Sequence, residues 1–150
     1  MMDTKFSDEL RKRLNNDNHK HFANDTIYDY IKPGEIEFIE CEVAEAFQDV
    51  LKALAINVKD DHNTKDTAHR VAKMFINEIF RGRYFPPPPV TAFPNAKQYD
   101  QLYMTGPISI DSTCAHHFQP ISGKCYIGVF PGEKVIGLSK FNRMVDWIVS

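Results

Sequence analysis

No apolar run in this chain approaches the roughly 20 residues that a helix needs to cross a bilayer. No membrane partner is therefore expected. The first 20 residues alternate charged and amide side chains around no apolar centre, so a secretory signal is not expected either. Cysteine is scarce: Cys41, Cys114 and Cys125 form no paired framework, which points to a reducing, cytoplasmic setting rather than a disulfide scaffold. Charge of one sign is also missing, since 18 Lys and Arg stand against 20 Asp and Glu for a net charge of -2. Nothing pulls the chain as a whole toward nucleic acid, so any bound phosphate has to be held by a few local cations. No phosphate-binding loop of the Gly-x-x-x-x-Gly-Lys type is present.

What is there is a soluble, globular composition, with 43% hydrophobic and 25% charged residues over 150 positions. Residues 1–34, ending at Pro33 and Gly34, read as a weakly ordered arm whose Ile27, Tyr28, Tyr30 and Ile31 can dock elsewhere. Residues 35–84 read as a helical region. Ile36, Ile39, Val43, Phe47, Val50, Leu51 and Leu54 fall on one face of a first helix, with Cys41 expected to be packed inside. Asp66 or Thr67 caps a second helix striped by Val71, Met74, Phe75 and Ile79, fading near Arg81 to Arg83. Pro86 to Pro89 form a stiff connector. Beyond it, strands are expected at 108–112, 123–130 and 135–138, followed by a helix capped by Ser139 and striped by Phe141, Met144, Val145 and Ile148. That last helix carries no stop signal, and two or three strands make little sheet, so the chain reads as the first part of a longer one.

Chemistry concentrates in Cys114, Ala115, His116 and His117. A thiolate and an imidazole three positions apart can share a zinc ion, which prefers sulfur and nitrogen in a tetrahedral shell. The same four residues also fit an ordinary cysteine beside two surface histidines, and a catalytic zinc needs a third protein ligand. Cys41 and Cys125 are the remaining thiols, and neither has a recommending spacing. A second cluster is Gly137, Leu138, Ser139 and Lys140, with Arg143 one turn on. A strand running into a helix start offers backbone N–H groups to an anion, and Lys140 and Arg143 share a face; a capped surface helix with solvated cations has the same pattern. His69 and Arg70 are a third candidate, Arg suiting phosphate but also being common on any helix surface.

Taken in order, these segments resemble GTP cyclohydrolase I from about Glu35 onward. The resemblance rests on Thr67 to Met74, on Asn77 to Phe80, on Ser112, Thr113, Cys114, His116 and His117, and on Val135 to Lys140 with Asn142 and Arg143. It implies an α+β tunnelling fold (T-fold), with N-terminal helices and an antiparallel sheet that is incomplete in this chain; residues 85–150 are then the first part of its catalytic domain. It also implies a homo-oligomer, in this family two stacked rings of five, and a reaction that takes GTP and water to 7,8-dihydroneopterin triphosphate and formate. By the same resemblance Cys114 and His117 are zinc ligands and His116 is the catalytic proton-transfer residue. Ser139, Lys140, Arg143 and, from a neighbouring subunit, Arg70 lie around the ribose and triphosphate.

Ala115 departs from the family, which usually has an acidic residue there. The family's third zinc ligand, a cysteine, with a further catalytic histidine and a purine-reading glutamate, is expected beyond Ser150, so residues 1–150 alone are expected to be inactive. Two other readings stay open. One is a related tunnelling-fold enzyme acting on a deazapurine or pterin. The other is a non-catalytic nucleotide- or metal-binding paralogue or ring subunit.

Overall fold

The computed structural model describes residues 5–150; the first four residues of the expected arm lie outside them. The chain divides into two units, one up to Phe85 and one from Pro86 on.

The first unit is helical. Helix α1 (Phe6–Asn16) sets Phe6, Leu10 and Leu14 one turn apart, and Leu10 and Leu14 are buried. With Ile27, Ile39 and Ile76 they form the core of this unit. The segment read as an arm therefore supplies Leu10, Leu14 and Ile27 to this core; the i, i+4 stripe of α1 sits among charged neighbours that hide it from a composition-based reading. Helix α2 (Ile36–Ala53) turns Ile39, Ala44 and Leu51 inward, while Val50, Leu54 and Cys41 are exposed. The expectation that Cys41 is buried is thus corrected. Small Ala44, Ala68 and Ala72 take the buried positions where α2 meets α3 (Thr67–Met74). Neither Asp66 nor Thr67 caps α3 through its side chain; Asp66 instead pairs with Arg70 at 3.5 Å. Helix α3 widens into a π-helical stretch, Phe75–Ile79, and ends in the short α4 (Arg81–Tyr84).

Arg13 fastens α1 to the start of α2. Its two terminal nitrogens each lie 2.7 Å from a different oxygen of Glu35, and it also donates to Glu9 and to the Tyr30 carbonyl. Glu35 accepts the Lys32 backbone N–H at 2.8 Å as well. The Arg13 guanidinium, helped by that N–H, holds the Glu35 carboxyl below its ordinary value of 4.5. Arg83 does related work elsewhere, donating to the Phe22 and Asp25 carbonyls at 2.6 and 2.8 Å and so pinning the loop after α1.

The second unit is built on a long antiparallel hairpin, β2 (Tyr103–Thr113) with β3 (Pro120–Val129). Strand β1 (Ala92–Pro94) pairs antiparallel with β4 (Lys134–Ile136) in a second, short ladder. The β2–β3 register shifts between Thr105 and Ile108, at Gly106. Gly106 has φ +147, and a Cβ there would come within 2.7 Å of the Tyr126 ring, so only glycine fits. Helix α5 (Leu138–Val149) lies on β2, its Phe141 and Val145 buried against Ile108. Ile110, Cys125, Ile127 and Val129 complete that face, following the alternation expected of β3. Ser139 does not cap α5: Gly137 holds the cap position in an extended conformation, and Ser139 lies inside the first turn. The architecture is α+β.

Two consequences are measurable. Leu14→Ala should cost about 2–5 kcal/mol by opening a cavity at a fully buried site. Glu35→Gln should lower the melting temperature near neutral pH. Because Glu35's folded value is depressed, its stabilisation is present above about 4.5 and is lost as pH falls through the lower folded value. The difference in melting temperature between wild type and Glu35→Gln should therefore close on acidification; a gap independent of pH would show that the ion pair is not what the substitution removes.

Candidate functional site

Thr113 pairs with Pro120, so residues 114–119 form the loop that joins β2 to β3. The Cys114 N–H closes it on the Gln119 carbonyl, and the Phe118 N–H returns to the Cys114 carbonyl, each at 2.9 Å. Phe118 takes a positive φ of 53 to make that turn. These bonds wrap the loop around the Cys114 sulfur. The backbone N–H of His116 is the largest influence on it, followed by the His116 ring, whose Nδ1 lies 3.6 Å from Sγ, and then by the His117 N–H. Together they hold the thiol below its ordinary value of 9.0 and favour the thiolate. Cys114 is half-buried, whereas His116 and His117 are exposed, with ring centroids 6.4 Å apart.

A thiolate and imidazoles on one exposed loop are the donor types zinc takes. Among the described residues, no group of three or more His, Cys, Asp and Glu comes together as a metal site. The loop thus offers part of a shell. It is His116, not His117, whose ring touches the thiol. Cys125 is committed to packing beneath α5.

The cations expected around phosphate are placed differently. Ser139 and Arg143 are exposed and Lys140 is half-buried, all in the first half of α5. Among the described residues neither Lys140 nor Arg143 has an acidic partner within ion-pair reach. The other end of α5 is tied to the hairpin, because the Ser112 hydroxyl donates to the Val149 carbonyl. Lys140 lies about 14 Å along the helix axis from that tie. The structure therefore does not gather Lys140 beside Cys114 within this unit. Arg70 is exposed on α3 in the first unit, and its acidic partner among the described residues is Asp66, at 3.5 Å.

One feature escaped the sequence reading. A cleft of about 660 Å³ lies beside the start of α5, between the segment that carries Tyr99, Leu102 and Tyr103 and the side chains of Val135, Ile136 and Leu138. Its wall is an irregular segment with no periodicity to betray it. Another groove of about 510 Å³, lined by Cys41, Glu45, Lys52 and His69, runs between α2 and α3.

Residues 43–150 match the family described as GTP cyclohydrolase I. A GTP cyclohydrolase 1 from Aeromonas hydrophila subsp. hydrophila is 42% identical over 99 residues, which cover 65% of this chain and 45% of that protein. The Aliivibrio salmonicida protein of the same name is 38% identical over 104 residues, covering 69% and 48%. That of Haemophilus ducreyi is 37% identical over 107 residues, covering 71% and 49%. The chain spans about half the length of the curated relatives it matches.

The loop geometry predicts thiol reactivity. In metal-free protein, iodoacetamide should modify Cys114 at pH 8 faster than it modifies Cys125. His116→Ala should slow modification of Cys114, because one of the groups that depress its pKa is lost, and the two proteins should converge at strongly alkaline pH, where the thiol is ionised in both. Equal rates at pH 8, followed by peptide mapping, would show that the imidazole does not act on the sulfur.

Proposed function

The chain belongs to the GTP cyclohydrolase I family, and on that premise we propose that it works in a zinc-dependent hydrolase that converts GTP and water to 7,8-dihydroneopterin triphosphate and formate. The observation that carries the reading is the Cys114 loop, which lies inside the matched segment and favours a thiolate next to the His116 imidazole, with His117 on the same loop. The same reading takes the second unit as the beginning of a tunnelling fold that assembles into a ring of identical subunits in the cytoplasm. The product would feed folate, pterin or deazaguanine synthesis.

Cys114 and His117 would hold the zinc, which would supply Lewis acidity toward water at neutral pH. The exposed ring of His116 would turn from the sulfur toward a purine and move protons during ring opening and loss of formate. Ser139, Lys140 and Arg143 would hold the triphosphate, which does not react but orients the base. Among the described residues Lys140 and Arg143 have no acidic partner to give up, and the exposed 3.5 Å contact of Arg70 with Asp66 is weak enough for a phosphate to replace. The separation of Cys114 from Lys140 along α5 supports a site that is shared between copies, with Arg70 contributed by a neighbour.

Formate release from GTP, measured on the protein that carries this chain together with any flanking sequence, tests the reading. Cys114→Ser should abolish zinc content and turnover together. His116→Ala should keep zinc and lose about 10²–10⁴ in turnover. Arg143→Ala should raise the KM for GTP by about ten- to a hundredfold, the worth of a charge-assisted hydrogen bond, while leaving guanosine binding little changed. Zinc and GTP binding without formate would instead fit a non-catalytic ring subunit, and full zinc occupancy in Cys114→Ser would reject the metal assignment.

A further inference from the structure

Ser112 belongs to the segment that carries the family resemblance, yet nothing in the proposed chemistry uses it. Its position is specific. It pairs with Ile121 at the end of the β2–β3 ladder, two residues before Cys114. It is half-buried, and its hydroxyl donates to the Val149 carbonyl in the last turn of α5. Carbonyls in a last helical turn have no partner from within the helix, so a side-chain hydroxyl is a natural donor to them. Phe141 and Val145 add apolar contacts between α5 and Ile108 of β2. Apolar contacts of this kind resist separation but have little directional preference. A hydrogen bond does have one.

We propose that Ser112 is a positioning residue for the Cys114 loop: by bonding α5 it fixes the end of β2 and so the direction from which the thiol and the two imidazoles are presented. The loop's own closures, from the Cys114 N–H to Gln119 and from the Phe118 N–H to Cys114, start from that fixed end. Loosening the tie frees the loop at its base while the ladder around Ile110 stays zipped. The role of the loop as a metal site rests on the function proposed above; the mechanical role of Ser112 does not.

The test compares wild type, Ser112→Ala and Ser112→Thr by amide hydrogen exchange and by titration with Co²⁺, whose thiolate charge-transfer band reports on Cys114. Ser112→Ala should speed exchange at the Cys114 and Phe118 amides about two- to tenfold, the range for loss of one ordinary hydrogen bond. Amides around Ile110 should be unchanged. Co²⁺ affinity should fall about tenfold, as for loss of an outer-shell support. Ser112→Thr, which keeps the hydroxyl, should restore both. Unchanged loop exchange in Ser112→Ala would overturn the proposal, and so would an equal acceleration through the whole ladder, which would make Ser112 a general stabiliser. A loosened loop rescued by Thr, in a protein whose wild type releases no formate from GTP, would sink the GTP reading and leave the positioning role standing.

Discussion

The second unit depends on one contact, the burial of Phe141 and Val145 of α5 against Ile108 of β2. A two-stranded ladder has no stability of its own in water and must cover one face with something else. Here α5 is that cover, and the alternating side chains Ile110, Cys125, Ile127 and Val129 are what it covers. Once α5 lies along β2, two placements follow without further choice. The loop after β2 is brought to the Val149 end of the helix, and the Ser139 to Arg143 turn is carried to the other. The candidate thiolate and the candidate phosphate cations are thereby held at a fixed separation by the same packing that makes the unit fold.

The charges divide along similar lines. Cations with a structural task are occupied: Arg13 is forked onto Glu35, and Arg83 is held by main-chain carbonyls. Lys140 and Arg143 have no acidic partner among the described residues, and Arg70 has only an exposed one. In a chain of net charge -2, a local excess of unpaired cations is the means available for holding a triphosphate. The Cys114 loop works by another route, because its sulfur is favoured as thiolate chiefly by backbone N–H groups that the turn itself aims at it.

Much of this was legible in the sequence, and what was not has physical causes. The period of α2 placed Ile39 and Leu51 correctly, but it also took in Val50 and Leu54, which the helix leaves in solvent because Ala44 makes the close contact with α3. Strand β1 was invisible, being three residues that end in a proline. Helix α1 was hidden among charges although its Leu10 and Leu14 are at the proper spacing. The π-helical stretch at Phe75–Ile79 has no composition of its own. For the site, Cys114, His116 and His117 could be picked out because they are adjacent in sequence. Their distance from Lys140, the contact of His116 with the sulfur and the tie from Ser112 to Val149 are tertiary facts, and no local pattern records them.

The central claim is that the Cys114 loop is the metal-holding reaction centre, and zinc K-edge X-ray absorption tests it most directly. The account predicts a mixed shell in zinc-loaded protein, with sulfur at about 2.3 Å and imidazole nitrogen at about 2.0–2.1 Å, and loss of the bound zinc, with its sulfur scattering, in Cys114→Ser. A shell of nitrogen and oxygen alone, or a sulfur signal that survives that substitution unchanged, would contradict it.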